Sequence, residues 1–247
     1  MSTLSALWRY PIKSHGREQL DRVRLTAGKT MPGDRVWAVA HDAANADGSE
    51  WAPCANFSRG AKAPQLMAIT AVWDEGKQTI TLSHPTAGTL IFDPDGDTTE
   101  FLAWVKPLMP ENRAQSARVL RAPDRGMTDT PFPSISLIGN ASLAELSTSM
   151  DQDLDPARFR ANIWIDGLAP FEEFELVGKT VQIGSVTFEV AERITRCLAT
   201  TANPKTGKRD ADTLAALETN WGHKDLGVYL RVLNDGDIAV GDSLSVL

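Results

Sequence analysis

A chain of 247 residues, 42% hydrophobic and 23% charged, has the apolar surface for one large core or two small ones, which excludes disorder as its default state. Its formal net charge of −7 argues against broad nucleic-acid binding, where Lys and Arg neutralise phosphates, but leaves room for one small basic pocket. No run approaches the ~18 apolar residues of a membrane span, and "MSTLSALWRYPIKS" lacks a signal-peptide core, so a cytoplasmic protein without a membrane partner is expected.

Taken in chain order, the first element is "LSALWRYPI", where Leu4, Ala6, Trp8 and Tyr10 alternate with the period of a strand. After the turn "MPGD", "RVWAVA" reads as a second strand with Arg35 at its first position. "QTITLSHPTAGTLIF" predicts a hairpin, and "TTEFLAWVKPL" spaces Phe101, Leu102, Val105 and Leu108 as on a helix. "MPENRAQSARVLRAPDRG" breaks periodicity, which places a domain junction near residue 110 and divides the chain into 1–110 and 111–247. "SLAEL" predicts a helix with Ser142 and Glu145 as a capping box. In "RFRANIWIDG", period two puts Arg160 and Asn162 on one face of a strand. "TVQIGSVTFEV" alternates on both sides of Gly184-Ser185, a hairpin signature. "DADTLAALETNW" predicts a third helix. The closing "GVYLRVLNDGDIAVGDSLSVL" repeats the hairpin device around Asn234-Asp235-Gly236. Closely spaced strands with Gly, Pro and Asp turns point to barrel-like sheets.

Few residues carry obvious chemistry. Cys197 lies beside Arg196 and near Arg193, and neighbouring cations favour the thiolate, the form that ligates soft metals and attacks electrophiles. The alternative is a buried thiol acting as a small apolar side chain; the polar, turn-rich "TTANPKTGKRD" after it favours a strand end facing a loop. Lys13, Ser14 and Arg35 could together hold a phosphate, or could be solvated cations and a turn serine, and no Gly-rich phosphate loop accompanies them. Asp129, before the loop "PFPSIS", reads by itself as a turn former. His15, His41, His84 and His223 have no metal-ligand spacing and read as surface or loop histidines. Cys54 and Cys197 are too few for a four-cysteine metal site, and a disulfide is not expected in a reducing cytosol.

Taken together, "YPIKS", "GDRVW", "TDTPFPSISLIGNASLAEL", "RFRANIWIDG", "TRCLATTANPKTG" and "GDIAVGDSLSVL" resemble the MOSC family. The likeness is to its two-part members, such as the mitochondrial amidoxime-reducing component and bacterial relatives, and it spans nearly the whole chain in order. It implies a mainly β (α+β) fold of two associated β-barrel-type domains with a few peripheral helices. The implied division is an MOSC N-terminal β-barrel domain over 1–110 and an MOSC domain over 111–247.

The resemblance also implies a cofactor, the molybdenum cofactor (Mo-molybdopterin), with Cys197 as the protein's metal ligand. Lys13, Ser14 and Arg35 would hold its terminal phosphate, and Thr128, Asp129, Arg160, Asn162, Thr195 and Arg196 would line pterin and metal. Two sulfurs from a pterin dithiolene make one protein thiolate sufficient. Thr195 stands where the family often has Ser, and "CANFSRGAKAPQL" departs from the family pattern, so no contact carries over from it. The implied activity is reduction of N-hydroxylated compounds (amidoximes, hydroxylamines, hydroxamates) by oxygen-atom transfer, with Asp129 as candidate proton relay. Electrons would come from a separate ferredoxin- or flavin-type donor protein. The alternative is a sulfur (persulfide) or cofactor carrier using the same Cys197.

Overall fold

A computed structural model describes residues 1–247. Its first strands are β1 (Ser2–Arg9), β2 (Glu18–Leu20), β3 (Arg22–Leu25), β4 (Trp37–His41), β5 (Thr70–Asp74), β6 (Thr79–His84), β7 (Gly88–Phe92) and β8 (Ser116–Arg121). β9 (Ile135–Gly139), β10 (Ile163–Asp166), β11 (Thr180–Ile183), β12 (Val186–Thr195), β13 (Asp225–Val232), β14 (Gly236–Ala239) and β15 (Ser243–Val246) follow. The helices are α1 (Thr99–Val105), α2 (Asn140–Ser149) and α3 (Thr213–Trp221), so the fold is mainly β with few helices, as expected.

The second half closes a barrel of seven strands in the order β10, β9, β13, β12, β11, β15, β1. Antiparallel pairing of β1 with β10 seals it, Thr3 opposite Asp166 and Leu7 opposite Ile163. The first strand of the chain is therefore a stave of a barrel otherwise built from its last 113 residues, 135–247. Alternation, interrupted on β1 by a bulge between Leu4 and Ala6, fills the interior: Leu4, Leu7, Leu137, Ile163, Val181, Phe188, Val228 and Leu230 are all fully buried. Each such side chain stabilises the fold by roughly 1.5–3 kcal/mol. The barrel interior is thus filled by its own side chains.

The first half packs separately. β5, β6 and β7 form a meander, and β8 returns to pair with β4, Trp37 opposite Arg121. Trp37, Val39, Ile80, Leu82, Phe101 and Val105 form its core, with Phe92 and Phe101 stacked at 4.8 Å. No helix is long and apolar enough to cross a membrane.

Several expectations need correction. The second C-terminal hairpin does not form: β13 already has β12 on one edge and β9 on the other. After the turn at Gly236 the chain instead pairs with β3, Ile238 opposite Val23. Ser142 is not an N-cap, because α2 starts at Asn140 directly from β9. Its hydroxyl donates to Glu173 Oε2 (2.6 Å) and accepts from the Phe171 N–H (2.8 Å). β8 lies in the stretch read as aperiodic, with Leu120 its one buried residue, too little to show a pattern. His15 and His84 are buried rather than at the surface. His15 packs edge-on against Phe101, and its Nδ1 lies 2.7 Å from the Lys13 carbonyl; His84 meets Trp104 edge-on. Their polar sequence neighbours concealed this.

Candidate cofactor-binding cavity

The largest group of chemically capable side chains lines one cavity of about 240 Å³ between the first half and the outer wall of the barrel. Its floor follows from strand alternation. Ile135 and Leu137 of β9 face the barrel core, so Ser136 faces out; Val228 and Leu230 of β13 do the same for Tyr229. Ser136 and Tyr229 are opposite each other in register.

The first half supplies the cations. Ile12 bridges to His15 and to Trp37, folding "YPIKS" into a tight turn with Ser14 at φ 63°. The turn buries Lys13, whose Nζ donates to the Met127 carbonyl (2.7 Å) and Asp129 Oδ1 (2.5 Å). Arg35 is not a strand residue: it precedes β4 at φ 54°, tied by its N–H to the Tyr10 carbonyl (2.7 Å). Its guanidinium pairs with buried Asp34 and donates to the Arg160 carbonyl (3.2 Å).

Arg160 likewise departs from the strand-face expectation. It ends a short 3-10 turn at φ 49°, and Asn162 immediately precedes β10. Both still line the cavity. Arg160 and Arg35 flank the Tyr10 ring at 4.3 and 4.9 Å, and the Tyr10 hydroxyl is fixed on the Ala161 carbonyl (2.8 Å). Asn162 Oδ1 accepts from Ser136 N (3.1 Å) and Oγ (2.9 Å), which locks its amide.

From the other side, β12 ends at Thr195 and the chain turns outward. Cys197 is exposed at the start of the turn Leu198–Thr201. The adjacent guanidinium is engaged elsewhere: Arg196 Nε and Nη2 donate to the Leu226 carbonyl and Nη1 to the Phe159 carbonyl. Thr195 Oγ1 donates to Asp225 Oδ1 (2.7 Å). Thr128, buried, accepts from Arg125 Nη2 (2.7 Å).

Charge in the cavity is strongly perturbed. Asp129 keeps a half-exposed side chain; desolvation by the surrounding protein works against ionising it, but Lys13 first and then Arg35 outweigh this and hold the carboxyl at about 2. Burial and the nearby Arg35 lower Arg160 to about 10, so it stays charged at neutral pH. Lys13, Arg35, Arg158, Arg160 and Arg196 outnumber the cavity's acids, in a chain of net charge −7. Arg160 Nη2 and the Nε and Nη1 of Arg158 are buried donors with no partner. Unpaired buried donors are costly unless a ligand satisfies them. This donor set fits a small, anionic, acceptor-rich group.

Lys13, Ser14, Arg35, Thr128, Asp129, Arg160, Asn162, Thr195, Arg196 and Cys197 thus all face one cavity. Sequence reasoning missed Arg158, Tyr229, Cys54 and Arg59, which line it too. Arg158 lies inside the 3-10 turn Pro156–Phe159, where strand periodicity carries no information. Cys54 had no signal either; its Sγ accepts from Arg59 Nη1 (2.8 Å), on a segment that reaches the cavity only through tertiary packing.

Comparison with known proteins bears on this cavity. Residues 1–116 match the model of the MOSC N-terminal beta barrel domain and residues 126–245 that of the MOSC domain. Mitochondrial amidoxime-reducing component 1 of Mus musculus is 24% identical, the alignment covering 100% of this chain and 83% of that protein. The Homo sapiens counterpart is 25% identical over 100% and 83%. Molybdenum cofactor sulfurase of Caenorhabditis briggsae is 36% identical over 112 residues; the alignment covers 44% of this chain but only 15% of that much longer protein. With both domain models matched in order and covering the cavity from either side, the chain belongs to the MOSC family.

Proposed function

We propose that this chain is a molybdenum-cofactor-dependent oxidoreductase that reduces N-hydroxylated compounds such as amidoximes, hydroxylamines and hydroxamates. The observation that carries the reading is the convergence of an exposed thiol, Cys197, with a cluster of buried and partly unpaired cations in one cavity. Family membership and the amidoxime-reducing relatives support it.

Lys13, Ser14 and Arg35 would hold a terminal phosphate: a fixed ammonium, a free hydroxyl and a guanidinium. Arg160 and Arg158 would donate to the ring acceptors of the pterin, and Cys197 would ligate the metal. No group of three or more His, Cys, Asp or Glu side chains is placed to hold a metal by itself, so the other ligands would arrive with the cofactor. When bound, the cofactor supplies two-electron oxygen-atom transfer. The chain's own work is to bind, orient and keep charge balanced. Asp129 fixes Lys13 and offsets its charge; a carboxyl held at about 2 is an acceptor at neutral pH, so Asp129 can take up a proton only transiently. Electrons would come from a separate ferredoxin- or flavin-type protein, and a cytoplasmic location fits that supply.

The test is direct. Protein purified from a molybdenum-replete host should contain molybdenum and pterin and consume an amidoxime when given an artificial electron donor. Metal-free protein carrying a labile sulfane sulfur on Cys197 would instead establish the carrier reading.

A further inference from the structure

One cation of the cavity stands apart from the others. Lys13 is paired with Asp129, Arg35 with Asp34 and Arg158 with Asp210. Arg160 donates to the Gly16 carbonyl and lies on the Tyr10 ring, while Arg196 is engaged by the Leu226 and Phe159 carbonyls. Arg59 lines the same cavity, is half-buried, and makes no ion pair. Its guanidinium has a single protein acceptor, the Cys54 Sγ at 2.8 Å, and a thiol is a weak acceptor. The rest of its donor fork has no protein acceptor.

The surrounding backbone fixes where this cation stands. The Arg59 carbonyl accepts from the Lys62 and Ala63 N–H groups, both at 2.9 Å. Gly60 packs so closely that a Cβ there would lie 2.5 Å from Met67 Sδ and 3.6 Å from the Ala199 Cβ. Ala199 is two residues after Cys197. The Arg209 guanidinium makes the same connection: Nη2 donates to the Ala61 carbonyl (2.9 Å) and Nη1 to the Leu198 carbonyl. One side chain thus ties the residue that follows Cys197 to the residue two after Arg59. Lys13 and Arg35 are held by other neighbours, Met127, Asp129 and Asp34. Arg59 therefore belongs to the thiol end of the cavity.

We propose that Arg59 receives a carboxylate carried by the N-hydroxylated substrate away from its N–O bond, a proposal that rests on the reductase reading above. A guanidinium fork matches a carboxylate with two parallel hydrogen bonds, and contact with Cys54 keeps the fork oriented before the ligand arrives. The chain then favours acidic substrates over neutral ones of the same shape.

The test compares benzamidoxime with its 3- and 4-carboxy derivatives as substrates of molybdenum-loaded wild type, Arg59→Gln and Arg59→Lys. Wild type should favour at least one carboxylated compound about tenfold in kcat/KM, mainly through KM, the worth of one charge-assisted contact. Arg59→Gln should erase the preference. Arg59→Lys keeps the charge but loses the fork, and should retain part of it. Added salt should weaken the wild-type preference, as for any half-exposed charge pair. Molybdenum and pterin content should match in all the proteins. No preference in wild type, or the same preference in Arg59→Gln, would overturn the role of Arg59 and leave the reductase reading standing. So would loss of molybdenum from Arg59→Gln, which would make Arg59 a support for the cofactor. A metallated wild type that reduces none of the compounds would overturn the reductase reading and the proposal with it.

Discussion

Individual side chains set the chemistry available to this cavity. Arg196 directly precedes the exposed thiol, yet its guanidinium donors go to the Leu226 and Phe159 carbonyls, so it serves as a brace joining β12 to β13 and to the turn before Arg160. His15 is a second case in which burial decides behaviour. Burial lowers it to about 4 from 6.5; the Lys13 carbonyl opposes this and the Arg160 charge adds to it. Between those values the unfolded chain takes up a proton that the folded chain refuses. Stability is therefore full above pH 6.5 and falls as pH drops towards 4. The slope should be on the order of 1 kcal/mol per pH unit. Urea midpoints measured across that window should fall in wild type, and His15→Gln should flatten the dependence; an unchanged slope would remove His15 as its source.

Elements carry these side chains to one place, and the sequence shows this unevenly. The β11–β12 and β6–β7 hairpins are readable because each closes locally on a short turn, Ile183 opposite Val186 and His84 opposite Gly88. The strand character of β1 is readable from Leu4, Ala6, Trp8 and Tyr10, but the bulge between Leu4 and Ala6 that turns Leu7 into the core is not, nor is the strand's place between β10 and β15, since those partners lie more than 150 residues away. The same limit hides the fate of β14 and the approach of the Cys54 segment. Of the cavity, Lys13, Arg35, Arg160 and Cys197 were recognisable through short motifs, whereas Tyr229 required knowing which face of β13 the barrel core uses. The β9–β13 contact also makes a sharp prediction. Gly227 sits at φ 81°, and a Cβ there would lie 2.5 Å from the Leu137 carbonyl. Gly222, at φ 72° with nothing within 4 Å, has the backbone cost without the clash. Gly227→Ala should lower the thermal midpoint well beyond Gly222→Ala, by a further ~1–3 kcal/mol of stability. Equal effects would mean that β9 and β13 have slack.

At the scale of the whole molecule, charge and topology agree. A chain of net charge −7 gathers six cations around one cavity, Lys13, Arg35, Arg59, Arg158, Arg160 and Arg196, and contributes them from both halves. Neither half holds the set alone, and β1 stitches the halves together as a stave of the barrel, with Lys13 and Ser14 following it closely in sequence. That arrangement suits a small anionic cofactor gripped at one end and presented to an exposed thiol at the other. The most direct measurement is molybdenum and pterin per chain in wild type and in Cys197→Ser, both from a molybdenum-replete host and both shown to be folded. Wild type should hold near-stoichiometric metal and the serine variant should lose it. A folded variant that keeps the wild-type molybdenum content would contradict this prediction.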